Sequence, residues 1–252
     1  MHDAQNLYLD LLKRCLTNLI YQEPSTLHGK DVPFDLRNRV EGRDWPLMAH
    51  TMVGINRLDA LHYCIEDVLA RSVPGDFIET GVWRGGTAIF MRGALKYHGV
   101  TDRVVWAADS FEGLPAPNTE KYPQDAKYNF HEYRELAVSL EEVQRNFRRY
   151  GLLDDQVRFL KGWFRDTLPG APIRRLALLR LDGDLYESTI DALTHLYPKL
   201  VPGGYAIIDD FGDVAACKQA VMDYRAEHGI AEEIVPIDWA SALWRKNGAG
   251  GD

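Results

Sequence analysis

Two short apolar runs, L-A-L-L-R-L over Leu176–Leu181 and G-G-Y-A-I-I over Gly203–Ile208, break off abruptly on aspartates, in D-G-D and D-D. Runs of this length, rich in Leu, Ile and Ala, read as buried parallel strands, and a strand that stops on acids has reached the surface there. In an open α/β sheet the carboxyl ends of the strands are where ligands bind. If the two strands are neighbours, Asp182, Asp209 and Asp210 converge on one crevice, and three hard oxygen ligands suit a divalent cation. Adjacent residues of a regular strand point to opposite faces, so Asp209 and Asp210 can share an ion only where the strand ends. The F-G-D that follows is consistent with such an exit. Left unpaired, these acids would raise one another's pKa, so a cation or a basic side chain must neutralise them. The structural alternative is that Asp182 or Asp210 caps the helix that follows.

From Val73 onward, strand-like and helix-like segments alternate, the signature of βαβ units and a mainly parallel sheet. Strands are expected near Asp76–Glu79, Val104–Ala108, Val157–Leu160, Leu176–Leu181, Tyr205–Ile208, Glu233–Ile237 and Ala242–Arg245. Before them, Leu12, Leu16 and Leu19, and again Leu58, Leu61, Ile65 and Val68, recur at helical spacing. A helical extension over residues 1–72, packed on a core domain of residues 73–252, is the expected organisation. Within it Glu23–Pro46 is polar and contains proline, which reads as a solvated loop. The stretch between the second and third strands is too long for one crossover helix. Ser139–Tyr150 supplies that helix, with Ser139 as N-cap and Glu142 in capping-box position. The remainder, an insertion over about 114–138 that is polar and aromatic, is expected to act as a lid.

Composition narrows the partners. The net charge is −8, from 29 basic and 37 acidic residues, and no basic stripe appears, so neither nucleic acid nor an anionic membrane is an expected partner. Cys15, Cys64 and Cys217 are odd in number and read as reduced thiols. No apolar run approaches about 20 residues and no secretory signal is visible, so a cytoplasmic location without a membrane span is expected. The histidines show no H-x-x-H spacing, which argues against zinc.

F-I-E-T-G-V-W-R-G-G, Phe77–Gly86, is an apolar strand, a glycine turn and the start of a helix, a frame that lets the backbone approach a nucleoside closely. It departs from a dinucleotide fingerprint, because Trp83 stands where the second close-approach glycine belongs. A pyrophosphate is disfavoured, and with it a nicotinamide-dependent oxidoreductase. Glu79 at the strand end repels phosphate and attracts an ammonium group. Asp109, ending the next strand, is placed to accept hydrogen bonds from ribose hydroxyls. Trp163 in F-L-K-G-W-F either flanks a purine or belongs to the core. Together these features describe a pocket for an adenosine without phosphate and with a cationic tail, the profile of S-adenosylmethionine.

E-T-G-V-W-R-G-G, A-D-S-F-E-G-L-P, Y-G-L-L-D-D-Q-V-R-F-L, G-W-F-R-D-T-L-P, R-L-D-G-D-L-Y and I-I-D-D together resemble the macrocin-type sugar O-methyltransferases of antibiotic biosynthesis, including the mycinamicin and novobiocin pathway enzymes. The likeness extends to Y-L-D-L-L-K-R near the start and to A-H-T-M-V-G-I-N-R-L at Ala49–Leu58. The resemblance implies an α/β class I methyltransferase (Rossmann-like) fold with a seven-stranded, mainly parallel sheet. It also implies S-adenosylmethionine as donor, a Mg2+ ion, and assembly into homo-oligomers. The implied acceptor is a sugar hydroxyl on a small glycosylated natural product of macrolide or aminocoumarin type. By motif, Asp182 resembles the family's metal ligand and general base, and Asp209 and Asp210 its other metal ligands. Glu79, Thr80, Gly81, Asp109, Ser110, Gly162 and Trp163 resemble its donor-binding positions. His131 lies in the matching mobile loop and is a second catalytic candidate. A metal-dependent methyltransferase of catechols or phenols, using the same site, is the rival reading.

Overall fold

The computed structural model describes residues 2–27 and 30–248. Helix α1 (His2–Leu16), strands β1 (Ser25–Leu27) and β2 (Lys30–Val32), helix α2 (Leu36–Glu41), strand β3 (Trp45–Pro46) and helix α3 (Gly54–Ala70) form the N-terminal part. Then come β4 (Asp76–Thr80), α4 (Gly86–Tyr97), β5 (Val105–Asp109), α5 (Leu140–Arg149) and β6 (Val157–Lys161). The chain continues through α6 (Phe164–Thr167), β7 (Leu176–Leu181), α7 (Tyr186–Leu196), β8 (Leu200–Ile208), α8 (Ala215–Glu227), β9 (Val235–Pro236) and β10 (Ala242–Arg245).

Strands β4 to β10 form one sheet in the order β6-β5-β4-β7-β8-β10-β9. The pairs among β4 to β8 are parallel, and β10 runs antiparallel to both β8 and β9. All six residues of β7 are buried, as befits a strand covered on both faces. Alternate residues feed opposite cores. Phe77, Leu178 and Ile207 pack with α1, α3 and α4, while Ile78, Leu179 and Ile208 pack with α7 and α8. Leu9, Leu12 and Leu16 of α1 and Leu58, Leu61 and Ile65 of α3 belong to the first of these cores, so the N-terminal helices complete one face of the sheet. The chain winds outward from β4 through β5 to β6, then returns to β7 on the other side of β4. The crevice at the carboxyl ends of β4 and β7 is therefore a topological switch point.

The expected strands all form. The one expected over Glu233–Ile237 is only Val235–Pro236, where proline sits at the sheet edge. The segment Glu23–Pro46, expected as a solvated loop, folds instead into the three-stranded antiparallel sheet β2-β1-β3 with α2 between. Its polar residues hide the reason. Arg39 is fully buried, with Nε donating to Asp44 at 3.0 Å and Nη1 to the Thr17 carbonyl at 2.9 Å. Charges paired in this way are invisible to a hydropathy pattern. The Ser139 hydroxyl accepts from the Glu142 amide at 3.2 Å, as the capping signature anticipates. Between β5 and α5 the chain makes three short 3-10 turns, Pro123–Asp125, Phe130–Glu132 and Arg134–Leu136. The three cysteines are free thiols. No helix among the described residues is long and apolar enough to cross a membrane.

Candidate active site

The side chains at the switch point are arranged around one buried arginine. Arg180 is the lone charge in β7, and the β4–β7 register sets it opposite Glu79. In the β7–β8 register it opposes Ile207, so Asp209, two residues further along, follows on the same face. Asp182, two residues after Arg180, does likewise. Accordingly Arg180 Nη1 donates to Glu79 at 2.6 Å and to Asp182 at 2.8 Å, and its Nη2 donates to Asp209. Arg57 of α3 reaches the same group, with Nη1 donating to Asp209 at 2.7 Å and Nε to Asp238 at 2.9 Å. Burial alone would raise Asp209, but Arg180 and Arg57 outweigh it and hold this carboxyl below the usual carboxylate range.

The acids facing the cleft are less well neutralised. One carboxylate oxygen each from Asp182, Asp184 and Asp210 lies within 4.8 Å of the others. Burial, reinforced by Asp209, pushes Asp182 up to about 6. Burial, with Asp182 and Asp209 nearby, pushes Asp184 up to about 8, and Asp210 is raised by burial and then by Asp184. The D-G-D turn is held tightly. The Asp182 amide donates to the Thr80 carbonyl at 2.9 Å, and the Asp184 amide to the Asp210 carboxylate at 3.0 Å. A compact set of hard oxygen ligands that raise one another's pKa fits a divalent cation, whose charge would relieve their repulsion. Of the three aspartates singled out in sequence, Asp182 and Asp210 enter this cluster. Asp209 faces the arginines, and Asp184, which sequence reasoning passed over, takes the third place.

Glu79, Gly81, Asp109, Ser110 and Trp163 line the adjoining part of the cleft. Glu79 is buried and pushed up to about 7 by that burial, despite Arg180 and Thr87. Its Oε2 has no hydrogen-bond partner among the described residues, which leaves an acceptor for an ammonium group. Asp109 accepts from the Val82 and Phe111 amides, both at 2.7 Å. The Ser110 hydroxyl also donates to Oδ1 at 3.3 Å, so the acceptor left for a ribose hydroxyl is Oδ2. The adenosine-and-ammonium profile thus fits the residues present. Gly81, at φ 81°, meets a different demand as well, since a Cβ there would collide with the Asp182 carbonyl. Thr80 is buried and contributes its carbonyl to Asp182, while Gly162 donates its amide to the Asp109 carbonyl at 2.9 Å. Both frame the cleft through the backbone.

The roof is aromatic. Trp45 of β3 packs edge-on against Tyr133 of the insertion, with ring centroids 5.3 Å apart, and Trp83 Nε1 donates to the Glu135 carbonyl at 2.8 Å. Phe130 and Leu136 face the cleft from the insertion, whereas His131 is exposed. Sequence reasoning missed Arg57, Arg180 and Asp184. The available signal was Arg180 itself, an arginine inside an otherwise apolar strand, which must find acids nearby.

Residues 25–246 match the macrocin-O-methyltransferase family, TylF. The chain is 57% identical over 249 residues to the 8-demethyl-8-(2,3-dimethoxy-alpha-L-rhamnosyl)-tetracenomycin-C 4'-O-methyltransferase of Streptomyces olivaceus, covering 98% of this chain and 95% of the relative. It is 54% identical over 246 residues to the mycinamicin III 3''-O-methyltransferase of Micromonospora griseorubida, covering 96% of each. Among solved structures, the O-methyltransferase NovP superposes with a TM-score of 0.93 at 52% identity, over 97% of this chain and 100% of that one.

Proposed function

Because the chain belongs to the macrocin-O-methyltransferase family and has the class I methyltransferase fold, we propose that it moves the methyl group of S-adenosylmethionine to a sugar hydroxyl of a glycosylated natural product, with a divalent cation, Mg2+ in the first instance. The observation that carries this reading is the meeting, in one cleft, of the Asp182, Asp184 and Asp210 carboxylates with the acids that end β4 and β5. Mg2+ would lie among those three carboxylates. Glu79, Thr80, Gly81, Asp109, Ser110, Gly162 and Trp163 would hold the donor.

When bound, the cation supplies Lewis-acid stabilisation of the acceptor oxygen and the donor supplies an electrophilic methyl. The chain does the rest by positioning and proton transfer. Asp182, at the end of β7 and facing the cleft, is placed to accept the hydroxyl proton. Arg180 and the Thr80 carbonyl fix its orientation. Arg57 and Arg180 hold Asp209 beside it and fix the end of β8. The aromatic roof of Trp45, Trp83 and Phe130 excludes water and offers apolar surface to the acceptor. His131 is exposed and would approach the acceptor as the insertion closes over bound ligands.

Self-association is part of the proposal. Leu7 and Leu11 are exposed on α1 while Leu9, Leu12 and Leu16 on its other side are buried, so the helix carries apolar surface on both faces. The decisive test supplies labelled methyl donor with glycosylated and with catechol acceptors, with and without a chelator. Label entering the sugar only when metal is present supports the reading. Catechol methylation in preference to sugar would replace it with the rival.

A further inference from the structure

Helix α7 begins immediately after the D-G-D turn, and its N-cap is Leu185, which has no side-chain oxygen to offer the first amides. Those amides need acceptors. They find one some sixty residues earlier in the chain. Asp125 accepts from the Tyr186 amide at 2.7 Å and from the Glu187 amide at 3.1 Å. Asp125 is fully buried although most of the insertion around it is exposed. It closes the Pro123–Asp125 3-10 turn, and the ring of Tyr122 lies 5.6 Å from that of Tyr186 over the same junction. The insertion thus delivers a helix cap to α7 from outside the helix.

The turn in front of that cap is strained. Asp184 has a φ of 56°, and the Leu185 amide folds back to the Gly183 carbonyl at 2.5 Å. A non-glycine residue stays in the left-handed region only where its surroundings over-determine it. Here Thr80 holds the start of the turn through Asp182, and Asp125 holds its end through α7.

We propose that Asp125 is a positioning residue for the carboxylate cluster: by capping α7 it fixes the D-G-D turn, so that Asp182 and Asp184 meet Asp210 in a geometry ready for a cation. The inference rests on the metal reading above. It makes the insertion part of the metal site without lending that site a ligand. Removing the cap frees the first turn of α7, lets Asp184 relax from its left-handed conformation and disperses three carboxylates, none of which has been altered.

The test is Mn2+ binding to the full chain, followed by electron paramagnetic resonance without donor or acceptor, in wild type, Asp125→Ala, Asp125→Asn and Asp154→Ala. Asp154 pairs with Arg92 at 2.6 Å away from the cleft and serves as the stability control. The Mn2+ dissociation constant should rise about tenfold in Asp125→Ala, as expected for a group that orients metal ligands. It should rise less in Asp125→Asn, whose one amide oxygen can still take one of the two N–H groups, and not at all in Asp154→Ala even where its melting temperature falls. Unchanged Mn2+ affinity in Asp125→Ala, together with a lower melting temperature, makes the cap merely structural and overturns the inference. If Asp125→Ala does not fold, Asp125→Asn decides by the same criterion. A wild type that binds no Mn2+ overturns the metal reading and this inference with it, whereas wild-type binding that neither variant changes overturns this inference alone.

Discussion

Arg57, on the N-terminal helix α3, donates to Asp209 at the end of β8 across 2.7 Å in a buried ion pair, and through Nε it holds Asp238 before β10 as well. One side chain therefore ties the N-terminal helices to two elements of the large sheet beside the carboxylate cluster. Ser241 joins the same knot, its hydroxyl donating to the Asp209 carbonyl at 2.6 Å.

Removing Arg57 should be costly. Arg57→Met takes the arginine from two buried carboxylates, and loss of one partner of such a pair is worth about 3 kcal/mol of folding stability, the lower end of the usual range because Arg180 still serves Asp209 and the Ala240 and Ser241 amides still serve Asp238. Arg57→Lys should recover only part of this, since one ammonium cannot reproduce the two-armed geometry. Urea unfolding measures both. Equal stability of Arg57→Met and wild type would show that the knot adds nothing.

Asp184 and Asp209 should separate in their effect on the cation. Asp184→Asn is expected to weaken Mn2+ binding at least tenfold, whereas Asp209→Asn should leave it nearly unchanged and lower stability, because Arg57 and Arg180 lose their counter-charge. Calorimetric titration with Mn2+ distinguishes them. If Asp209→Asn weakens the ion as strongly as Asp184→Asn, then Asp209 leaves the arginines to join the ligand set.

Asp109→Ala should weaken S-adenosylmethionine and S-adenosylhomocysteine alike, since contacts to ribose ignore the transferred methyl. Loss of a charge-assisted hydrogen bond corresponds to about 10- to 100-fold in affinity. The melting temperature should also fall, because the Val82 and Phe111 amides lose their acceptor. Isothermal titration reads the first effect and calorimetric melting the second. Unchanged affinity with a lower melting temperature would assign Asp109 to the turn alone.

His50 should make the fold acid-sensitive. Burial, with Arg149 and Arg84 nearby, lowers its pKa to about 4, and its Nδ1 is hydrogen-bonded to the Tyr150 hydroxyl at 2.7 Å. The unfolded chain takes up a proton near 6.5 while the folded one resists until about 4. The contribution of His50 is therefore complete above pH 6.5 and is lost as pH falls toward 4. His50→Gln should flatten the decline of melting temperature across that interval, and parallel curves for the two proteins would count against it.

His131→Ala should leave stability within about 0.5 kcal/mol of wild type, as for other exposed positions. Turnover should fall nonetheless if the insertion closes on the acceptor. Steady-state kinetics beside thermal melting separates the two, and unchanged turnover removes His131 from the reaction.

How much of this was legible in the chain depends on the range of the interaction. The strand ends were legible because burial on both faces forces a continuous apolar run, as in Leu176–Leu181, and the run's end marks the surface. Glu79, Asp109, Asp182 and Asp210 could be placed at the cleft from that rule alone. The small sheet over Ser25–Pro46 was not legible, because a buried Arg39–Asp44 pair has the same composition as two solvated charges.

The sequence by itself determined the doubly wound sheet, the crevice at its switch point and the chemistry gathered there, since hydrophobic periodicity and strand-terminal acids are local properties of the chain. Only the tertiary structure decided how the carboxylates divide. Asp209 and Asp210 are neighbours in sequence with the same side chain, yet one faces Arg57 and Arg180 while the other joins Asp182 and Asp184. Likewise Asp125 looks like any loop aspartate until α7 brings its uncapped amides to it. Both outcomes come from partners distant in the chain, and electrostatic pairing between such partners leaves no periodicity to read.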